Sequence, residues 1–565
     1  MTADPATDVD PGAAGTLARW LQSGVALLER RFGLALAVLA LLSFAVRVWF
    51  ADFDQFMIKD PYEYLVRAIR FAEGSFEQRA EQHLGWPLLL SFFVDPDAAL
   101  LESIERARAL GIAVSCLTVV PLGLVARRVA GAPTALATLV IYSLFPPLVK
   151  SASFGHTDPL FGLLFLSFVY AIFRAEERPT WLLLAGLLGG LSYWVRPNGL
   201  FLLPMLGLGW WVWHRRPHGS SQDGSSQDGS SQDGSSKYLW IGLAAFALAA
   251  APYFVWRLEA LGSPFDYGEN AKYLVDKPRE LWNPTVAAPT LADYFSTRSL
   301  GRVFQKFVVG GIWYVLRDYF FFASWPFLSA ALAVGVLMGL GERRRRVILG
   351  LILIWNIGLI PFYDVYFSQR HILPTLTLAL VLAADALLRL GGKASTASLG
   401  LVVMFFAPFT LGSTAELLRM KDDASKGDVT SGLEWARWSI ENLEGRVAIG
   451  EGRDLVDIAA REGGKQRRLA PRFEVVRLPP FDTSTEAIDW MRAHRIRYIV
   501  VDAVPYMQKG RKYLNDLLGE LPPTAREVFS NRENERSRWP VRILEVTTAT
   551  SAIGSTPIHG LSPVP

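Results

Sequence analysis

Residues 33–64 read GLALAVLALLSFAVRVWF ADFDQFMIKD PYEY. The run to Phe50 carries a single charge, Arg47, and is long enough to cross about 30 Å of hydrocarbon. The chain then turns abruptly polar, with Asp52, Asp54, Lys59, Asp60 and Glu63 close together. Acidic groups at the lip of a membrane bundle are costly unless water, a partner or a substrate meets them. From Tyr62 the pattern turns helical. Tyr62, Leu65, Ala68, Ile69 and Phe71–Ala72 form an apolar stripe, with Arg67, Arg70 and Glu73 turned toward water. That predicts a helix lying in the membrane interface as far as Gly74. Pro61 suits its first turn, with Asp60 at the cap position just before it. Asp60 is then either a helix cap or, equally, a general base for an acceptor hydroxyl arriving at the surface.

The rest of the chain is of the same kind. Its 565 residues are 51% hydrophobic with a mean hydropathy of +0.24. Only 19% are charged, below the roughly 25% usual for soluble domains. Apolar runs near 33–50, 104–126, 132–149, 158–173, 180–195, 197–213, 238–257, 311–337, 347–362, 372–389 and 396–412 predict about eleven transmembrane helices. The expected fold is a polytopic α-helical membrane protein with a small C-terminal α/β soluble domain. The formal charge of +4 implies no nucleic-acid partner, because the excess Arg lies in short loops at helix ends. The single cysteine, Cys116, lies in an apolar run and excludes internal disulfides and CxxC metal sites. Residues 1–32 lack a signal-peptide cleavage pattern and read as a disordered cytoplasmic N-terminus.

Charge gives the orientation. Arg30-Arg31, Arg127-Arg128, Arg174 with Arg178, Arg215-Arg216, Arg343 to Arg346, and Arg389 with Lys393 all fall on one side. The positive-inside rule makes that side cytoplasmic, in a plasma (inner) membrane. The opposite side receives the 51–103 loop with its interfacial helix, the 258–310 loop and the tail from 413. Within the cytoplasmic loop 214–237, residues 220–234 repeat Ser-Ser-Gln-Asp-Gly three times, a polar tract that reads as a flexible insert. The transmembrane domain is thus expected over 33–412 and an extracytoplasmic α/β domain over 413–565. In that tail, strand-like runs at 446–450, 473–478, 495–502 and 541–546 alternate with helical patterns at 432–442, 455–462 and 485–493.

Several polar clusters share the external side. His83-Leu84-Gly85-Trp86-Pro87 closes the first loop, with His83 placed to face Asp60. His156-Thr157-Asp158-Pro159 opens the fourth span, where Asp158 is a good helix cap as well as a carboxylate near Asp60. Arg196-Pro197-Asn198-Gly199 breaks an apolar run, and an Arg so embedded needs a carboxylate, a phosphate or water. Ser368-Gln369-Arg370-His371 enters the tenth span, and an Arg fork suits phosphate oxygens. The long loop supplies Lys272, Arg298, Arg302 and Lys306, either simply solvated or attracting a lipid phosphate. No P-loop, GxGxxG after a strand, HExxH helix or GxSxG elbow is present.

In order and sidedness these clusters resemble the GT-C superfamily of membrane glycosyltransferases, nearest its protein O-mannosyltransferase and aminoarabinose transferase-like group. The stretches that carry the likeness are Asp60-Pro61-Tyr62-Glu63-Tyr64 to Gly74, Trp86-Pro87-Leu88, Asp158-Pro159-Leu160-Phe161, Gly190-Leu191 with Arg196-Pro197-Asn198-Gly199, and Arg370-His371-Ile372-Leu373-Pro374. The resemblance spans roughly 33–412. It implies an inverting transferase with a polyprenyl-phosphate-linked sugar as donor and a lipid, glycan or protein acceptor on the non-cytoplasmic face. It needs no cofactor, although a divalent ion between Asp60 and Asp158 is conceivable. By that likeness Asp60 is the catalytic base. Tyr62, Glu63, His83, His156, Asp158, Arg196, Lys272, Arg370 and His371 are the candidate substrate-binding residues, with Arg370 and the basic loop nearest the donor phosphate. The usual Glu after the Asp is Pro61 here, so Glu63 or Asp158 takes the second acidic role, or one carboxylate suffices.

Two other readings differ in class. A lipid-linked oligosaccharide transferase would move a preassembled glycan. A transporter or flippase would show charges or broken helices at the midplane and two similar halves, whereas the ionisable residues here gather at the external ends of spans.

Overall fold

The computed structural model describes residues 23, 30–51, 53, 60–76, 83–214, 233–262, 291–317, 319, 326–363, 369–390, 409–419, 429–450, 453–462, 469–479, 481–502, 513–531 and 541–546. They fall into two compact units, one before and one after residue 425.

The first unit is helical. Among the described residues four helices are long and apolar enough to cross a membrane: Phe32–Phe50, Leu100–Ala130, Ser236–Leu261 and Leu373–Leu390. The pair Ala132–Leu144 and Pro146–Ser153, bent by 56°, would make a fifth. Trp181–Val195 and Leu328–Gly339 are apolar but shorter. Thirty-one residues at 1.5 Å each carry Leu100–Ala130 about 46 Å, longer than the roughly 30 Å of hydrocarbon that a span must cross. Of the run expected as one span over 311–337, the helices Gly311–Arg317 and Pro326–Gly339 are described, and residues 318 and 320–325 lie outside the described residues.

Close packing comes from small residues. Gly186 and Gly190, four apart on Trp181–Val195, face the helix Asp233–Leu261. There an added Cβ would overlap the carbonyl oxygens of Gly242 and Phe246. Arg47, fully buried on the first span, is met by hydroxyls. Its Nε donates to Ser115 Oγ at 2.9 Å, Nη1 donates to Ser43, and its guanidinium lies 5.0 Å from the Tyr142 ring. At one end of the bundle, Arg128 and Arg344 converge on Glu176, while Arg345 and Arg389 converge on Asp385. Loops expected on one side of the membrane therefore do meet at one end.

The second unit is a five-stranded sheet of order β2-β1-β3-β5-β4, where β1 is Gly445–Ile449, β2 Phe473–Arg477, β3 Tyr498–Asp502, β4 Ala525–Ser530 and β5 Val541–Val546. β1 pairs parallel with β2 and β3, while β5 runs antiparallel to β3 and β4. Ala448, Ile499, Val501 and Leu544 share a core with Ile488 and Met491 of the helix Ser484–Ala493 and with Leu517. The expected alternation of strands and helices is present. The edge strand β4 is an addition to it, because Arg526 and Glu527 interrupt its apolar run and only part of each side chain is covered.

Candidate active site

The helix expected to begin at Asp60 forms as Asp60–Ala72. Most of its stripe packs inward, with Tyr62, Leu65, Ala68, Ile69 and Phe71 buried and Glu63 half-buried, whereas Ala72 is exposed. Arg67, read as facing water, is 5% exposed, which overturns that expectation. The helix therefore buries a cation among its apolar residues. Position 67 lies seven residues, about two turns, from Asp60 on the same face.

Asp60 does more than begin its helix. Its Oδ2 accepts from Arg370 Nη1 at 2.9 Å, while its side chain stays 53% exposed. Arg370 stands in the short turn Gln369–His371, just before the helix Leu373–Leu390. The same guanidinium donates from Nε to Asp158 Oδ2 at 2.9 Å. The other Asp158 oxygen lies 2.6 Å from Arg196 Nη2, and Arg196 Nε donates to Thr157 Oγ1 at 3.1 Å. Asp60, Arg370, Asp158 and Arg196 thus alternate in sign along one array. The Asp158 side chain is 6% exposed. Its expected capping role is replaced, since its carboxylate is taken up by two arginines and the residue stands inside the first turn of Asp158–Arg174.

Local chain geometry makes this meeting possible. The helix Trp181–Val195 stops at Arg196, which is extended (φ −152°, ψ 147°), and a 3₁₀ turn begins at Pro197. The break turns Arg196 out of the helical row and toward Asp158. The turn before Asp158 uses Gly155 at φ +72°, a left-handed geometry that glycine adopts without strain. The carbonyl of Gly155 accepts from Trp86 Nε1 at 2.9 Å. Gly85, the residue before Trp86, packs so tightly on Trp194 that a Cβ would lie 2.9 Å from its backbone. The segment around Gly85 and Trp86 is thereby pinned to the turn that carries His156.

His156 sits inside this charge array. Its Nδ1 is buried and has no hydrogen-bond partner among the described residues. Burial and the Arg370 guanidinium push its imidazole down to about 3, against the pull of Asp158 and Asp60. It is therefore a neutral group at any physiological pH. Burial lowers Arg370's affinity for its proton, but Asp158 and Asp60 outweigh it and hold the guanidinium charged.

His83, expected to face Asp60, is seen here in contact with Tyr193 and Tyr253. Its Nδ1 lies 2.8 Å from the Tyr193 carbonyl oxygen, and its ring lies 5.3 Å from Tyr253. Burial, then Arg257, lower its pKa, with Arg67 and Arg196 adding to the effect. Arg257 is fully buried near the end of Asp233–Leu261 and donates to Tyr253 Oη at 3.0 Å. Sequence reading did not single out Arg67 or Arg257. The available signal was an arginine at the inner edge of an apolar stripe and another in the last turns of an apolar helix. His371 anchors the tenth span through its backbone, whose carbonyl accepts from Trp355 Nε1 at 2.8 Å. Lys272 lies outside the described residues. Beneath Asp158 a cavity of about 30 Å³ is lined in part by Ser115, Tyr142, Ser151 and Thr377, large enough for one or two waters.

Comparison with known proteins agrees with this architecture. Residues 87–222 match the family described as dolichyl-phosphate-mannose-protein mannosyltransferase. The apo oligosaccharyltransferase of Archaeoglobus fulgidus superposes with a TM-score of 0.55 at 13% identity, over 86% of this chain and 71% of that one. The archaeal oligosaccharyltransferase AglB of the same organism, in complex with an inhibitory peptide and a dolichol-phosphate, gives 0.52 at 12% identity, over 84% and 69%. ArnT from Cupriavidus metallidurans bound to undecaprenyl phosphate gives 0.51 at 12% identity, over 93% of this chain and all of that one. At such identities the likeness is one of fold. No curated protein sequence matches the chain.

Proposed function

We propose that this chain, a membrane glycosyltransferase of the GT-C kind, transfers a sugar from a polyprenyl-phosphate carrier with Asp60 as the base. The observation that carries the reading is the half-exposed Asp60 carboxylate, aimed by an arginine that also grips a buried second carboxylate. Buried arginines near a membrane surface attract a phosphate. Arg67 and Arg257 suit the donor's phosphate, and Arg67 lies about 10 Å along the helix from Asp60. That separation leaves room for a sugar between base and leaving group.

The step then balances simply. The acceptor hydroxyl gives its proton to Asp60 as its oxygen bonds to the anomeric carbon. The bond from that carbon to the phosphate oxygen breaks on the opposite face, and its electron pair stays with the phosphate. Arg67 and Arg257 offset that charge. Asp60, half in solvent, returns the proton to water. Attack opposite the leaving group inverts the anomeric centre.

Two of the structural relatives are complexes with carrier lipids, dolichol-phosphate in one and undecaprenyl phosphate in the other, which supports a polyprenyl donor here. The acceptor is a lipid, glycan or peptide hydroxyl. The orientation we favour has about eleven spans, with the N-terminus cytoplasmic and the Asp60 array and the tail extracytoplasmic in an inner membrane. The decisive experiment is Asp60→Asn assayed with a panel of polyprenyl-phosphate sugars. Transfer should fall by about 10²- to 10⁴-fold with donor binding retained. Undiminished turnover would sink the assignment of the base.

A further inference from the structure

Carboxylates that converge at one site repel each other, and proteins commonly hold them with a divalent ion bound through oxygen ligands. Here the two carboxylates meet on one guanidinium. Asp60 Oδ2 and Asp158 Oδ2 each lie 2.9 Å from a nitrogen of Arg370. The remaining Asp158 oxygen is 2.6 Å from Arg196, so each Asp158 oxygen already lies against a guanidinium nitrogen. Among the described residues no group of three or more His, Cys, Asp or Glu side chains could hold a metal ion. We propose that the Arg370 guanidinium is the fixed counter-cation of this centre, standing where a divalent ion would otherwise bridge Asp60 and Asp158, and that its presence keeps such ions out.

This rests on the reading of Asp60 and Asp158 as the reaction centre, and it goes beyond that reading by saying what holds them. A guanidinium suits the task. It stays charged at all working pH values and presents fixed donors that match carboxylate oxygens. It also cannot be removed by a chelator. The four charges Asp60, Arg370, Asp158 and Arg196 sum to zero, so a divalent ion would have to enter a neutral centre beside two fixed cations. Without Arg370 the centre carries one net negative charge and two carboxylates with freed oxygens. That arrangement favours a divalent ion.

The test is Mn²⁺ binding to the purified full chain in detergent micelles, read by electron paramagnetic resonance. Four proteins are compared: the unaltered chain, Asp60→Asn, Arg370→Gln, and Arg370→Gln combined with Asp60→Asn. The unaltered chain should show no Mn²⁺ site that depends on Asp60, and its transfer should be unchanged by EDTA. Arg370→Gln should gain one site, weakened at least tenfold by the added Asp60→Asn, and any transfer it retains should depend on Mn²⁺. Asp60-dependent Mn²⁺ binding by the unaltered chain would overturn the proposal. So would a folded Arg370→Gln protein that binds no Mn²⁺. If Arg370→Gln fails to fold, the unaltered chain still decides, by presence or absence of Asp60-dependent Mn²⁺ binding. Metal binding is read without transfer, so this result and the assignment of Asp60 as base stand or fall separately.

Discussion

Two identical chemical changes on either side of Arg370 should have very different energetic costs. Asp158→Asn removes a buried carboxylate, 6% exposed, that sits 2.6 Å from Arg196 and 2.9 Å from Arg370. Asparagine can offer one carbonyl oxygen to one guanidinium and turns its amide N–H groups toward the other. Hydrogen bonds to charged groups contribute about 1.5–3 kcal/mol each, and breaking a buried ion pair from one side costs about 3–5 kcal/mol. The expected loss for Asp158→Asn is therefore about 3–5 kcal/mol. Asp60→Asn removes the ion pair with Arg370 at a side chain that is 53% exposed, where solvent screening leaves roughly 0.2–1 kcal/mol. Unfolding of each variant by SDS titration in mixed micelles, followed by tryptophan fluorescence, measures both. The double variant should lose more than the sum, because Arg370 is then deprived of both partners. A loss below about 1 kcal/mol for Asp158→Asn, or equal losses for the two variants, would refute the account of a buried anchor and an exposed reactive end.

Other consequences are equally specific. Arg257→Ala and Arg67→Ala should each raise the KM for a polyprenyl-phosphate donor tenfold or more, about 1.4 kcal/mol, with a smaller change in kcat; an unchanged KM would remove them from the phosphate site. The His156 imidazole is held down to about 3 by burial and Arg370, against roughly 6.5 in an unfolded chain. Between those values the unfolded state binds the extra proton, so stability is full above about pH 6.5 and falls as pH drops through that window. His156→Gln should flatten this slope by up to one proton, and an unaltered slope in unfolding curves would contradict the burial. Gly186→Ala would drive a methyl group into the Gly242 carbonyl and should cost about 1–3 kcal/mol by overpacking. A variant as stable as the parent would mean the two helices are not so closely packed.

The residues of the array were legible in the sequence because each stands where an apolar pattern breaks. Asp60 and Asp158 precede Pro61 and Pro159, Arg196 precedes Pro197, and Arg370 precedes the Leu373-Pro374 entry to a span. Breaks of this kind expose backbone and side chains to polar surroundings, which periodicity detects. Their pairing was not legible. Arg370 is 310 residues from Asp60 and 212 from Asp158, and no local pattern carries a contact at that range. Arg67 was misread for a related reason. A charge beside an apolar stripe is assigned to water by default, yet other buried groups can make burial worthwhile. The five-stranded sheet was mostly visible through alternating patterns. Its edge strand was not, since a strand covered on one side shows only a faint apolar period.

The asymmetry of the array also argues for how labour is divided between its two carboxylates. A base must meet its substrate and then return a proton to solvent, which requires exposure. It must also point in one direction, which requires a fixed partner. One residue cannot be both deeply held and open to water. Here Arg370 joins an anchored Asp158, with a guanidinium against each oxygen, to an accessible Asp60. Direction is supplied by the buried end and reactivity by the open end. On the proposed function, Asp158 takes the second acidic role left open by Pro61, as the partner that orients the base through a shared arginine. If that is so, lengthening the exposed carboxylate by Asp60→Glu should keep the ion pair but misplace the base, lowering kcat far more than stability.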